Sequence, residues 1–293
     1  MDTDIARKTW RTLEPYHGLV YFAPEPVAAY AAIGAEGRTG YFASRAAPMG
    51  AVTAEVVQAT FFNFNPSLVR EAMAGAWETT SPETILAARL DGADAALRNA
   101  LGDDVVSGAD VAEAAALART AADACTVDGR PLSAGHATLG WPEAPHLALW
   151  HAISLLREFR GDGHIACLVV EGLDGCEALV VHGATGEVAP SVLQASRAWP
   201  DEAWAAATAR LVERGWLDGA GALTEVGRSA RQRIEDRTDA LALAPWEALG
   251  EAGCERLRAL VRPLSKAIVA GGAFGFRPDP VNDRPQTGSS VAR

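Results

Sequence analysis

Arg157, Glu158, Arg160, Asp162 and His164 bring five ionisable side chains into eight positions. A histidine beside carboxylates and guanidiniums can serve as acid, base or ligand near neutral pH. The plainer reading is a solvated helix end, where Arg157 and Arg160 favour the C-terminal dipole. A second group lies near the start of the chain. His17 and Tyr21 are four residues apart, so a helix would set them on one face, with Glu14 and Glu25 nearby. A core or capping histidine is the plainer reading there too. His164, Asp162, His17 and Tyr21 are therefore the candidate catalytic groups, and whether they catalyse anything is left open by the sequence.

The run Phe61-Phe62-Asn63-Phe64-Asn65 joins aromatic rings to two amides. It reads either as core packing followed by a turn or as a pocket wall with fixed dipoles. Gln194, Ser196, Arg197 and Trp199 form a similar group further on. The expected ligand-binding set is Arg45, Phe61, Asn63, Asn65, Trp150, Arg157, Arg160, Gln194 and Arg197. Two glycine-rich stretches, 34–40 and 160–163, precede expected helices, but neither follows a strand or matches a phosphate-binding loop. They read as tight turns between helices. No His-Glu-x-x-His or Cys/His cluster occurs, so no metal is expected, and no cofactor. No Gly-x-Ser-x-Gly elbow occurs either. Cys125, Cys167, Cys176 and Cys254 sit in apolar surroundings without a Cys-x-x-Cys pair, as buried reduced thiols do.

The elements that must position these residues are helices. The chain has 293 residues, is 49% hydrophobic and is rich in alanine, the strongest helix former. Residues 1–16 read as a polar lead-in without a signal peptide, and no apolar run is long enough to span a membrane, which points to a cytoplasmic protein. Ser81-Pro82-Glu83 opens a helix as N-cap, N1 proline and first-turn acid. His146 to Phe159 carries Leu147, Trp150, Ile153, Leu156 and Phe159 at helical spacing. The fold class expected is mostly α. The domains expected are residues 1–126, a linker at 127–144, a second domain at 145–276 and a disordered tail at 277–293.

The two halves can be superposed as sequences. Gly37 and Gly161, and likewise Pro66 and Pro190, share one offset. Trp77 with Trp199, and Arg89 with Arg210, follow with only a small drift. Glycines, Pro-Ser, tryptophan, proline with an acid and Ala-Arg-Leu recur in one order. This predicts a pseudo-symmetric internal duplication of two winged-helix-like halves, with a ligand cleft between them.

The stretch from Pro190 to Ile234 has the order of a helix-turn-helix. Leu211-Val212-Glu213-Arg214-Gly215-Trp216-Leu217, followed by Leu223-Thr224-Glu225-Val226-Gly227-Arg228, resembles the Leu-x-x-x-Gly-Leu and Leu-Thr-x-x-Gly elements of MarR-type transcription regulators. The resemblance spans roughly residues 200–243 and implies a winged helix. The chain departs from that family at the wing, which is short and has no basic tip. Most of residues 10–270 also resemble a group of actinobacterial helix-turn-helix proteins. That likeness is carried by His17 with Tyr21-Phe22-Ala23-Pro24-Glu25, Arg45-Ala46-Ala47-Pro48, and Leu155-Leu156-Arg157-Glu158 running into Arg160-Gly161-Asp162-Gly163-His164. It implies a fold and brings no chemistry.

Charge argues against DNA. The formal net charge is −11, and the expected reading helix from Asp201 to Trp216 carries Asp201, Glu202 and Glu213 against Arg210 and Arg214. A net negative field repels phosphates, so only Arg210 and Arg214 stand out for a groove. The sequence therefore favours a small-molecule-binding, sensor-like protein with weak or no DNA binding. A DNA-binding regulator and an enzyme on the same scaffold are the alternatives. Self-association is left open.

Overall fold

The computed structural model describes residues 1–274. The tail expected at 277–293 lies outside the described residues. The first helix, α1 (Thr3–Gly18), occupies the stretch read as a polar lead-in. Its low mean hydropathy conceals a stripe. Ala6, Thr9, Leu13, Tyr16 and His17 recur at three- and four-residue spacing, and all are buried. A 3-10 turn (Leu19–Tyr21) leads to α2 (Pro24–Ala32) and α3 (Gly37–Ala46). A second 3-10 turn (Ala47–Met49) precedes α4 (Ala54–Thr60), α5 (Pro66–Met73), α6 (Ala76–Thr79) and α7 (Pro82–Leu101). Ser81 caps α7 by accepting from the Thr84 amide, with Pro82 at N1.

Next come α8 (Asp103–Val106), α9 (Ala109–Ala122), α10 (Pro131–Ala137) and the long α11 (Pro145–Val170). The C-terminal part holds α12 (Gly175–Gly183), α13 (Pro190–Ser196), α14 (Asp201–Glu213), α15 (Glu225–Leu241) and α16 (Ala244–Ala270), which is interrupted at Gly250. The structure is thus mostly helical. Among the described residues the β-structure is one bridge, Leu217 to Leu223, and no helix is long and apolar enough to cross a membrane.

Three apolar clusters hold these helices. The largest joins Leu13 of α1, Leu97 of α7, Ala118 of α9, Trp150 and Ile153 of α11 and Val261 of α16. A second gathers Phe42, Val57, Phe61, Phe64, Val69 and Ile85 from the N-terminal segment. A third gathers Cys176, Val180, Leu211, Trp216 and Ile234 from the C-terminal one. The largest cluster draws on both sides of residues 127–144, so the core does not divide at the expected boundary. That stretch is itself structured: it contains α10, whose Leu132 and His136 are buried.

The expected loop at 160–163 is helix. Gly161 and Gly163 lie inside α11, which runs unbroken through both. Glycine costs a helix only about 1 kcal/mol relative to alanine, which packing readily offsets. Here it makes room, because a Cβ on Gly163 would lie 2.8 Å from Nη1 of Arg130, which crosses α11 at that point.

The parallel between the halves is partial. Prolines Pro66 and Pro190 each open a short helix, and Trp77 and Trp199 each donate the indole N–H to a backbone carbonyl, of Val52 and Asn63 respectively. Beyond those points the halves part. Helix α7 continues to Leu101, whereas α14 stops at Glu213 and the chain reverses at Gly215, with φ of 70°. Gly37 opens α3, while its counterpart Gly161 is internal to α11.

Candidate functional site

The side chains that could do chemistry collect at a seam where α1, α3, α7 and α10 meet α11. Helix α11 supplies Trp150, Ser154, Arg157 and Glu158, which recur at helical spacing along one face. His17, fully buried on α1, lies against that face. Its ring stacks on Trp150 at 5.5 Å, its Nδ1 is 2.8 Å from Ser154 Oγ and its Nε2 is 3.0 Å from Tyr21 Oη. The four-residue spacing of His17 and Tyr21 thus does what it promised. Burial first, then the Arg157 and Arg89 charges, push the His17 imidazole well below its usual range, so it is neutral at pH 7.

Around the Tyr21 ring stand the guanidiniums of Arg45, Arg157 and Arg89, at 5.1, 5.4 and 5.9 Å from its centroid. Arg45 donates to Tyr41 Oη at 2.7 Å and lies 4.0 Å over the Phe61 ring. Arg89, almost fully buried on α7, donates to the Ser44 carbonyl at 2.8 Å. Arg157 joins Glu14 at 2.9 Å and Glu158 at 2.8 Å. Burial pulls the Glu158 carboxyl upward, but Arg157, Arg45, His136 and Arg89 together hold it below the usual carboxylate range.

Hydrogen bonding in this seam is incomplete. Among the described residues, Nε of Arg45, Nε of Arg89, Oε2 of Glu14 and both ring nitrogens of His136 are buried without a partner. Burial pushes the His136 imidazole down to about 3, with Arg89 adding to the shift and Glu158 opposing it. Each orphaned polar atom costs about 1–3 kcal/mol unless water or a ligand satisfies it. Next to the seam, Arg197 lies 4.8 Å over the Phe64 ring, which is 5.9 Å from Tyr41. The Arg197 Nε is a further unpartnered buried atom.

The structure therefore gathers His17, Tyr21, Arg45, Phe61, Trp150 and Arg157 and places Arg197 beside them. Other expected site residues have structural duties. Asn65 caps α5 through Ser67, and its amide donates to the Arg197 carbonyl; Asn63 gives its carbonyl to Trp199. Gln194 bonds Asp201 at 2.7 Å on the exposed surface. Arg160 is tied to Asp239 at 2.8 Å and packs over Trp10. Asp162 accepts the Ser133 amide at 2.9 Å and so caps α10. Burial raises its carboxyl to about 6 against that hydrogen bond. His164 bonds Thr238 Oγ1 at 3.0 Å and faces α15. It lies ten positions beyond Ser154 on α11, or about 15 Å along the axis, so His17 and His164 do not form one site.

Arg89, His136, Ser154 and Tyr41 were missed as site residues. Two had a sequence signal. Tyr41 is four before Arg45, and Ser154 is four after Trp150 and four before Glu158, on an otherwise apolar face. His136 had none, because nothing local distinguishes it.

The stretch from Pro190 to Ile234, expected to be a helix-turn-helix, lies apart, in α13 to α15. Thr224 caps α15 by accepting from the Gly227 amide at 3.1 Å, and its hydroxyl donates to the Gly215 carbonyl at 2.6 Å. Gly227 is required there: a Cβ would collide with the Trp216 carbonyl. This is the physical basis of the Leu-Thr-x-x-Gly element. On α14, Arg210 is bound to Glu177 at 2.7 Å and Asp174 at 2.5 Å. Arg214 donates to the carbonyls of Gly172 at 3.0 Å and Glu171 at 2.7 Å. Both arginines are thus engaged within their own chain.

Among the described residues the chain is mostly helical, with a compact turn between α14 and α15. Residues 6–275 match the helix-turn-helix family, and the chain belongs to it. No curated protein matches the chain. No solved structure matches it either.

Proposed function

We propose that the chain is a regulator-like helix-turn-helix protein that binds a small molecule in the seam between its N-terminal segment and α11. The observation that carries this reading is the set of buried, unpartnered polar atoms on Arg45, Arg89, His136 and Glu14. Native folds satisfy almost all such atoms, so a cluster of orphans beside aromatic walls marks a place for an exchangeable partner. Winged-helix character and descent from an internal duplication belong to the same proposal. The Leu217–Leu223 bridge supports the first, and the paired prolines and tryptophans support the second. The Arg210 charge is already answered by Asp174 and Glu177 and the net charge is −11, so DNA binding is expected to be weak. Native mass spectrometry of the purified full-length chain tests the ligand reading. A bound small molecule supports it, and Arg45→Gln and Arg89→Gln should reduce its occupancy.

Family membership favours a second reading, a DNA-binding transcription regulator, in which α14 enters the major groove. Mobility shifts with genomic fragments at low and moderate salt separate the two. Tight binding that falls steeply with salt favours the regulator, and no shift at low salt removes it.

A further inference from the structure

A cavity of about 180 Å³ lies between α9, α10 and α11. It is separate from the seam: none of the seam arginines lines it, and neither does His136. The exposed Asp123 and Ala137 stand at its mouth, the half-buried Trp141 forms a side wall, and the buried Ser133, His151 and Leu155 form its floor. An apolar cavity of about 150 Å³ takes up one benzene ring, so this space admits a single ring and little more.

The floor keeps an unmet hydrogen-bonding group. His151 is only 4% exposed, and its Nε2 has no partner among the described residues. Its ring meets Trp141 edge to face at 4.8 Å, which fixes the imidazole at the cavity wall. Burial first, then the Arg89 and Arg119 charges, push the imidazole down to about 4. It is therefore neutral at pH 7 and can accept or donate according to its tautomer. A neutral floor offers nothing to offset the desolvation of an ion. The mouth does not favour one either: Asp123 repels a carboxylate, and Arg119, 3.8 Å from Asp123 and 4.3 Å over the Trp141 ring, repels an ammonium.

We infer that this cavity is a ligand site for an uncharged alcohol built on one aromatic ring, of which phenol is the simplest. The ring lies against Trp141 and Leu155. The hydroxyl bonds the His151 imidazole, and Ser133 is the second polar residue of the floor. The site goes beyond the seam reading above and stands whether or not the seam holds a ligand.

The test is isothermal titration calorimetry of the full chain at pH 7 with four probes of similar size: phenol, toluene, benzoate and benzylamine. Phenol is expected to bind with a Kd below about 1 mM. It should bind about five-fold tighter than toluene, which lacks the hydroxyl, and at least about ten-fold tighter than the two ions. His151→Phe keeps a ring against Trp141 and removes the nitrogens, so phenol should fall to the affinity of toluene. Ala137→Trp fills the mouth from an exposed position, so the fold should survive while both phenol and toluene lose binding. Benzoate or benzylamine binding as tightly as phenol overturns the uncharged class. Phenol no tighter than toluene, or unaffected by His151→Phe, overturns the hydrogen bond to His151. Phenol binding unchanged in folded Ala137→Trp overturns the placement, and no binding of phenol or toluene overturns the site.

Discussion

The seam at α11 and the face of α14 both carry arginines, yet the two regions spend them differently. On α14, Arg210 and Arg214 give their donors to Asp174, Glu177 and backbone carbonyls. In the seam, Arg45 and Arg89 keep an Nε free although they are far more enclosed. The more exposed pair leans on carboxylates and carbonyls at the surface, whereas Arg45 and Arg89 each hold a buried Nε with no partner among the described residues. Exposed donors can always turn to water, so their pairing says little about function. Buried donors cannot, so what they leave unmade points to a missing partner. A count of basic residues would have favoured α14; the burial of the unpartnered atoms favours the seam.

The sharpest way to break this contrast is Glu158→Gln, which removes the buried carboxylate and leaves the partly buried Arg157 with Glu14 alone. Loss of one partner of a buried pair costs about 3–5 kcal/mol. Urea denaturation should show it, and a loss below 1 kcal/mol would mean that water already reaches the seam. Next is Gly227→Ala in α15. The collision with the Trp216 carbonyl should destabilise the chain by about 1–3 kcal/mol, with α14 and α15 gaining amide exchange first.

Acid should act through the buried histidines, of which His17 and His136 lie in the seam. His136 and His151 titrate in the folded chain at about 3 and about 4, below the 6.5 of a free histidine. Below pH 6.5 the unfolded chain takes up protons that the folded chain refuses, so stability is full above that value and falls as pH drops towards 4. Between pH 7 and pH 5.5 the loss should be about 1 kcal/mol for each histidine. Asp162, raised to about 6, works in the opposite sense between its unfolded value and pH 6, but it is one group against five histidines held below the usual range, His17, His164 and His182 adding to these two. Urea midpoints across this range check the slope, and His151→Leu should flatten it. The smallest effect is expected from Arg210→Ala. Its half-exposed ion pairs contribute less than about 1 kcal/mol, and the salt dependence of any DNA binding should not change. A slope reduced by about one would make Arg210 a phosphate contact.

Local patterns in the sequence were reliable where a single helix governs the outcome. The Ser81-Pro82 start of α7, the Thr224 cap, the turn before Trp216 and the His17–Tyr21 pair all act across one helical turn, and all could be read from spacing. Patterns failed where another element changed their meaning. Gly161 and Gly163 look like a loop until Arg130 is seen to need the space beside Gly163. Residues 1–16 look polar until α16 and α11 cover one stripe of α1.

The same division holds for the site. The sequence by itself determined a helical chain, the turn and cap between α14 and α15 and the face shared by His17 and Tyr21, because caps, prolines and helical spacing are local. Only the tertiary structure decided that Arg45, Arg89, Arg157 and His136, drawn from four helices, share one buried space, and that Arg160, Asp162 and His164 do not. Desolvation and charge balance are set by what surrounds a side chain in space, and that surrounding is assembled from residues far apart in the chain.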